Sequence, residues 1–324
     1  MTAVAVREPM LYDYGTREAW LASRTGFVGA SEVAILFGLA PPSWGSPYSL
    51  WAYKTGKLER AEVDDVAAER MEWGLELEPL ISRKYAKRTG RRLWDGGGPY
   101  VVAVDPEVDY LRATLDGFIV DAAGMPGNGV LQIKTTNTFM AHHWDDGIPN
   151  HVQCQVQTEM GCTGYQWGST PVLEGGQRLR WFDLKRDDRF ITEVREVVTW
   201  FWGFVRRNEP PPIDGSEATT EALKRLHPHD SGAEVALPPE AALWVQQWQE
   251  AKEALAVSKR LDGEREAEAK NKLRAVIGSA TFGKLPDGRR LSLKTSDNPG
   301  SVVEPFRYRT LRVESEKARK KSRK

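Results

Sequence analysis

The chain predicts a mixed α/β fold: a central sheet flanked by helices, followed by a C-terminal helix and hairpin. Three observations predict it. From Tyr12 to about Arg207, stretches with helical spacing of apolar residues alternate with stretches of period two. A proline-rich tract, "RRNEPPPIDGSEATTEA", then interrupts the pattern and reads as a linker. Beyond it the composition turns to good helix formers and ends in a strand-turn-strand pattern. With 324 residues, 40% of them hydrophobic, the chain is long enough for one large or two modest cores. A boundary near Gly215 divides it into residues 1–215 and an accessory region, 216–324.

In the first region "ASEVAILFGLA" gives a short helix with Ser31 as its N-cap, and "VAAERMEWGLELEPLISRKYAKRTG" a longer one that stops at Gly90. Two alternating strands follow, "DYLRATLDGFIVD" and "GVLQIKTTN", joined across Gly124, Pro126, Gly127 and Gly129. "NHVQCQVQTEMGCTGYQ" is a helix ending near Gly164, "RLRWFDLKR" a strand, and "FITEVREVVTWFWGFVRR" a closing apolar helix. The order helix, helix, hairpin, helix, strand, helix makes a mixed sheet with helices against it. In the accessory region Pro238 to about Val276 reads as one long amphipathic helix with Trp244 and Trp248 one turn apart. "ATFGKLPDGRRLSLKTS" forms a hairpin about Asp287-Gly288, and "SEKARKKSRK" is a basic tail.

Charge and cysteine content narrow the function classes. Lys and Arg total 45 against 45 Asp and Glu, so a nucleic-acid site would be a local patch and not a field over the whole surface. Cys154 and Cys162 are too few for a disulfide framework or a four-cysteine metal cluster, which fits a reducing, cytosolic setting. No apolar run approaches the roughly 20 residues of a membrane span, and the first ten residues lack the pattern of a secretory signal.

The chemistry concentrates on the two central strands. Alternation places Gln132 and Lys134 on one face of the second strand and Leu131 and Ile133 on the other. Opposite them Asp116 precedes Gly117, a residue that lets backbone or ligand approach closely. The Asp116 carboxylate, the Gln132 side-chain oxygen and the Ile133 backbone carbonyl are hard donors suited to Mg²⁺ or Mn²⁺. Lys134 beside them would orient or deprotonate an attacking water, a combination suited to phosphodiester hydrolysis. Glu78, Ile81 and Tyr85 share the core-facing stripe of the long helix, so Glu78 should meet a cation, whereas Glu76 lies on the opposite, solvated side. Of Gln153, Gln155 and Gln157, the first and third share a face and Gln155 takes the other; periodicity does not say which face looks into the groove. Each feature has a plainer reading: Asp-Gly as a turn, the glutamines as helix surface, and Trp200, Phe201, Trp202 and Phe204 as core instead of a platform for bases. His142, His143 and His151 have spacing that suits zinc poorly.

Taken in order, these segments resemble the phage lambda exonuclease, or YqaJ-type viral recombinase, family of the PD-(D/E)XK nuclease superfamily. The resemblance runs from about Trp20 to Phe204. It rests on "SRTGFVGASEVAILFG", on "WGLELEPLISRKYAKRTG" with Glu78 at the acidic position, on Asp116-Gly117, on Gln132-x-Lys134, and on the Gln-Val-Gln element of "NHVQCQVQTEMGCTG". It implies a PD-(D/E)XK core over residues 1–215. It also implies a metal-dependent 5′-to-3′ exonuclease on duplex DNA ends that leaves 3′ single strands for phage-type recombination, with an endonuclease of the same superfamily as an alternative. Glu78, Asp116, Gln132, Lys134 and Gln155 would then be the catalytic set, with Gln157 in reserve for Gln155. Asp116, Gln132, Glu78 and the Ile133 carbonyl would hold the ion, and Arg24 and Ser31 would grip the terminal 5′-phosphate, a role Ser31 can share with N-capping. The same resemblance implies a phage or prophage protein of the bacterial cytoplasm, a single-strand annealing partner and a ring-shaped homo-oligomer. Gln132 departs from the Glu of the family's Glu-x-Lys. A tolerated variant, an inactivating change and a protein that binds DNA ends without cutting them all accommodate it.

Overall fold

The computed structural model describes residues 8–59, 65–228, 236, 238–277, 282–284 and 290–292. Two compact units divide the chain, Met1–His227 and Pro228–Lys324.

The first unit is mixed α/β, with helices against two sheets. In chain order its elements are β1 (Met10–Asp13), α1 (Arg17–Ser23), β2 (Val28–Gly29), α2 (Ala30–Leu36), α3 (Pro47–Lys54), α4 (Asp65–Thr89), β3 (Arg92–Trp94), β4 (Val101–Val104), β5 (Leu111–Thr114), β6 (Gly117–Asp121), β7 (Gly129–Leu131), β8 (Lys134–Thr136), α5 (Asn150–Thr163), β9 (Trp167–Glu174), β10 (Arg178–Lys185), α6 (Asp188–Arg207) and α7 (Glu217–Leu226). One sheet runs β1-β4-β5-β2; the other runs β10-β9-β7-β6-β3, with β8 continuing beside β9. Parallel pairing joins β2 to β5 and both β7 and β8 to β9, and the remaining pairs are antiparallel.

The segment read as a single strand, "DYLRATLDGFIVD", is divided between these sheets. β5 belongs to the first sheet and β6 to the second, so Leu115 and Asp116 form the corner between them. The second expected strand is interrupted at Gln132 and Ile133, but its register holds across the break: Val130 faces Gly168, Leu131 faces Ser169 and Lys134 faces Val172. The Gln132 N–H bridges the interruption with a 3.1 Å bond to the Ser169 carbonyl.

Helix α4 ends where Gly90 takes φ +71, the left-handed conformation that closes a helix at least cost in glycine. Its Ile81 and Tyr85 are buried with Ile119, Leu131, Ile133, Trp167 and Leu179. Helix α6 buries Ile191, Val194, Val198 and Phe201, spaced three or four residues apart. At ~1.5–3 kcal/mol per buried side chain, that stripe contributes roughly 6–12 kcal/mol before entropy is subtracted. Trp202 is buried and stacks on Tyr110 with centroids 5.4 Å apart, so this aromatic run is mainly core, although Trp200 is exposed. Cys154 and Cys162 are buried thiols.

The first unit continues past Gly215, the expected boundary. α7 is held to the N-cap of α3 by a 2.7 Å bond from the Thr219 hydroxyl to that of Ser46, and Ala222 packs in the main core. In the second unit, α8 (Ala241–Ile277) matches the expected long helix, and β11 (Phe282–Lys284) pairs antiparallel with β12 (Arg290–Ser292), as the Asp-Gly hairpin signal predicts. The basic tail lies outside the described residues. Among those described, no helix is long and apolar enough to cross a membrane.

Candidate active site

The corner between the sheets carries Asp116. Its position depends on Gly117, where an added Cβ would stand 3.1 Å from the Trp94 carbonyl oxygen, so a larger residue would push β6 away from β3. Asp116 Oδ2 accepts the Ile133 N–H at 2.6 Å and the Gln132 Nε2 at 2.5 Å. That same amide nitrogen lies 3.5 Å from the Ile133 carbonyl oxygen. Lys134 leaves the strand on the same side as Gln132 and donates to Gln155 Oε1 at 3.0 Å. Gln155 Nε2 donates to Gln132 Oε1 and to Glu159 Oε1, each at 2.9 Å.

This network has a fixed polarity. Lysine only donates, so Gln155 receives it with oxygen and turns its NH₂ to Gln132 and Glu159; Gln132 must then accept with oxygen and turn its own NH₂ to Asp116. Position 132 therefore offers hydrogens to the pair of oxygens, Asp116 Oδ2 and the Ile133 carbonyl, that the sequence assigns to an ion.

Three carboxylates gather around Lys134. Burial, and then repulsion from Asp116, push the Glu78 carboxyl from 4.5 to about 7, against the pull of Lys134. Burial also raises Asp116, opposed by Lys134, the Ile133 N–H and the Gln132 amide. Glu159 is driven well above the usual range by burial and then by Asp116, with Lys134 and Gln155 opposing. One ammonium does not balance three ionised carboxylates, which is why all three are pushed toward their neutral forms; a divalent cation would be the natural complement of the charged ones. Among the described residues no three His, Cys, Asp or Glu side chains form a group able to hold an ion by themselves. The carbonyl of Ile133 and an amide oxygen would have to complete the shell. The donors are hard oxygens throughout, which fits Mg²⁺ or Mn²⁺.

The structure thus brings together Glu78, Asp116, Gln132, Ile133, Lys134 and Gln155 from α4, the corner, the β7–β8 strand and α5. Glu76 is exposed, as its helical position predicts. Gln157 is elsewhere: its Nε2 donates to the Lys185 carbonyl at 2.8 Å and its Oε1 accepts the Asp187 N–H at 2.9 Å, tying α5 to the start of α6. Gln153 donates to the Ile148 carbonyl at the start of its own helix. His151 packs edge-on 5.3 Å from the Trp44 ring, and the His142 ring lies tilted 4.0 Å from that of His143.

Arg24 and Ser31 line a small cavity of about 40 Å³ with Phe27, Gly29, Thr114 and Gln155. Arg24 is nearly buried, lies over the Trp20 ring at 5.1 Å and pairs through Nη2 with Glu32 at 3.3 Å; its Nε is buried without a partner. Ser31 is not the helix cap. Gly29 is, because the Glu32 carboxylate reaches back to accept the Gly29 N–H at 2.8 Å and starts the helix at Ala30. The Ser31 side chain is therefore exposed at the cavity instead of closing the helix.

Sequence reasoning passed over Glu32, Lys54 and Glu159. Lys54 reaches the Glu32 carboxylate at 2.7 Å and the Arg24 carbonyl at 2.6 Å. Burial pushes the Glu32 carboxyl up, but the ammonium and the Arg24 guanidinium outweigh it and hold the group below its usual range. Only the capping-box position of Glu32 is a local signal. For Glu159 the readable hint is its place one helical turn after Gln155.

A mixed α/β core with a carboxylate and lysine cluster on its central strands defines the class of protein, and comparison with known proteins narrows it. Residues 19–166, a little under half of the chain, match the YqaJ-like viral recombinase domain. It is 30% identical over 216 residues to the uncharacterized protein YqaJ of Bacillus subtilis (strain 168), an alignment that takes in 65% of this chain and 64% of that protein. The chain thus spans somewhat less than two thirds of this relative's length. Among solved structures it is similar to an alkaline exonuclease, LHK-Exo, from Laribacter hongkongensis, with 24% identity, a TM-score of 0.47, and coverage of 64% of this chain and 96% of that one. The LHK-Exo complex with dAMP gives 26% identity with the same coverage and TM-score.

Proposed function

We propose that the protein is a metal-dependent 5′-to-3′ exonuclease that works inward from duplex DNA ends and leaves 3′ single strands for recombination. The observation that carries this reading is the meeting of Glu78, Asp116 and Lys134, from three distant stretches of chain, beside a cavity with a half-satisfied buried arginine. A bound Mg²⁺ or Mn²⁺ would supply charge neutralisation at the scissile phosphate and a more acidic water. Asp116, Glu78 and the Ile133 carbonyl would hold it, with the Gln132 oxygen available only if that amide turns over. The Lys134 ammonium would orient the attacking water, and its bond to Gln155 fixes where that ammonium stands.

Arg24 and Ser31 would take the terminal 5′-phosphate. A small cavity lined by a buried arginine with an N–H to spare and by an exposed hydroxyl suits an anion. Gln155 lines that cavity and also bonds Lys134, which would place the end of a strand within reach of the cutting site. Recognition of a terminus favours an exonuclease over an endonuclease. A strand-annealing protein, a ring of like subunits and the bacterial cytoplasm complete the functional setting.

A second reading has its own support. The Gln132 NH₂ engages Asp116 and approaches the Ile133 carbonyl, as expected of a protein that binds DNA ends without cutting them. Linear duplexes with and without a 5′-phosphate, incubated with Mg²⁺ and with the metal withheld, separate the two. Metal-dependent release of nucleotides, faster from phosphorylated ends, is the expected result. Tight binding with no release would establish the second reading, and equal rates on both ends would remove Arg24 and Ser31 from phosphate recognition.

A further inference from the structure

Glu159 is fully buried in α5, yet it is a poor structural pin. One oxygen accepts from Gln155 and the other is buried with no hydrogen-bond partner, an arrangement that ordinarily costs ~1–3 kcal/mol and more for a charged group. A neutral side chain could hold Gln155 as well. Gln155 bonds both the Lys134 ammonium, at 3.0 Å, and Glu159, at 2.9 Å, so the carboxylate belongs to the hydrogen-bonded catalytic corner. The Gln155 NH₂ links it at 2.9 Å on one side to Gln132 at 2.9 Å on the other. The corner therefore has an amide where an acid is expected, and an acid on the next helix where nothing structural requires one.

We propose that Glu159 supplies the negative charge that position 132 lacks, acting on the cation site through Gln155 from beyond direct ligation. This rests on the metal-dependent reading above. Burial favours the neutral carboxyl while no cation is bound, but a divalent ion at the corner would draw out the charged form, and at low local dielectric that charge would attract the ion strongly. By holding Gln155, the same residue also fixes the partner of the Lys134 ammonium. Glu159 is accordingly a positioning residue and not a ligand.

The test is Mn²⁺ binding to the full-length protein, measured by calorimetry and by the loss of the free-ion paramagnetic resonance signal, without DNA or turnover. Glu159→Gln keeps the shape and the oxygen that faces Gln155, and is expected to weaken Mn²⁺ binding at least tenfold. Moving the charge, in the double variant Gln132→Glu with Glu159→Gln, is expected to restore affinity to within about threefold of the native protein, a recovery that a merely structural role for Glu159 would not give. Native affinity in Glu159→Gln would overturn the proposal and leave the metal-dependent reading intact. So would weakened binding that the double variant fails to recover. If the native protein itself binds no Mn²⁺, the metal-dependent reading falls and this inference falls with it.

Discussion

Replacing Gln132 by glutamate probes the corner directly. In the native protein the Gln132 amide donates to Asp116 Oδ2 at 2.5 Å. Gln132→Glu removes that donor and sets a second carboxylate against the first. Two like charges about 4 Å apart repel by roughly 4 kcal/mol at an effective dielectric near 20, and a hydrogen bond to a charged group worth about 1.5–3 kcal/mol is lost as well. Taking up a proton would relieve part of this, so a fall of about 4 kcal/mol at pH 8 is a reasonable expectation for the metal-free variant. For a unit of this size, 1 kcal/mol shifts the melting temperature by roughly 2–4 °C, which makes the expected drop about 8–16 °C. Mg²⁺ should reverse it, because an ion between two carboxylates turns their repulsion into attraction. The assay is a pair of thermal melts at pH 8, one in chelator and one in Mg²⁺. Equal melting of variant and native protein in chelator would show that Asp116 and position 132 do not face each other. A drop that Mg²⁺ leaves untouched would show that no ion enters between them.

Other expectations follow from the same geometry. The metal-free protein should lose stability as pH rises from about 4.5 to about 7: below this window the Glu78 carboxyl is protonated in both folded and unfolded chains, within it only the unfolded chain releases the proton, and above it the difference is constant. Glu78→Gln should flatten that part of the profile in urea melts at several pH values, and an unchanged slope would assign it to other groups. Glu32→Ala should cost about 3–5 kcal/mol in a urea melt, because it strands the buried Lys54 ammonium and frees the Arg24 guanidinium; a loss under 1 kcal/mol would mean that the pair is dispensable. Lys134→Ala should slow cleavage of duplex ends by about 10²–10⁴-fold while binding of the same ends persists, and undiminished cleavage would exclude Lys134 from the chemistry.

Several features of the site were legible in local sequence because they depend on periodicity alone. Glu78, Ile81 and Tyr85 had to share a helix face, and both apolar members are buried as that spacing requires. Gln132 and Lys134 had to leave the strand on one side, with Leu131 and Ile133 on the other. Gly90 had to end α4, because glycine takes at least cost the left-handed conformation that closes a helix. Other features had no local signal. Leu115 and Asp116 look like the middle of one strand, and only the separation of two sheets turns them into a corner. β9 was missed because "WGSTPVLE", buried almost throughout, lacks the alternation that marks a half-exposed strand. Ser31 carries a strong capping signal, but the competing Glu32 carboxylate moved the cap to Gly29.

By itself the sequence determined which residues lie on which face of each element, and so which acids, amides and lysine were available to a site. Tertiary structure decided which of those faces look at one another: Gln155 into the corner and Gln157 into the joint with α6, Glu159 beside Gln155, and the Gln132 NH₂ toward Asp116. The physical reason is range. Backbone periodicity is fixed by neighbours a few residues away, whereas burial, charge repulsion and the direction of a hydrogen-bond chain are set by groups that only the folded chain brings together.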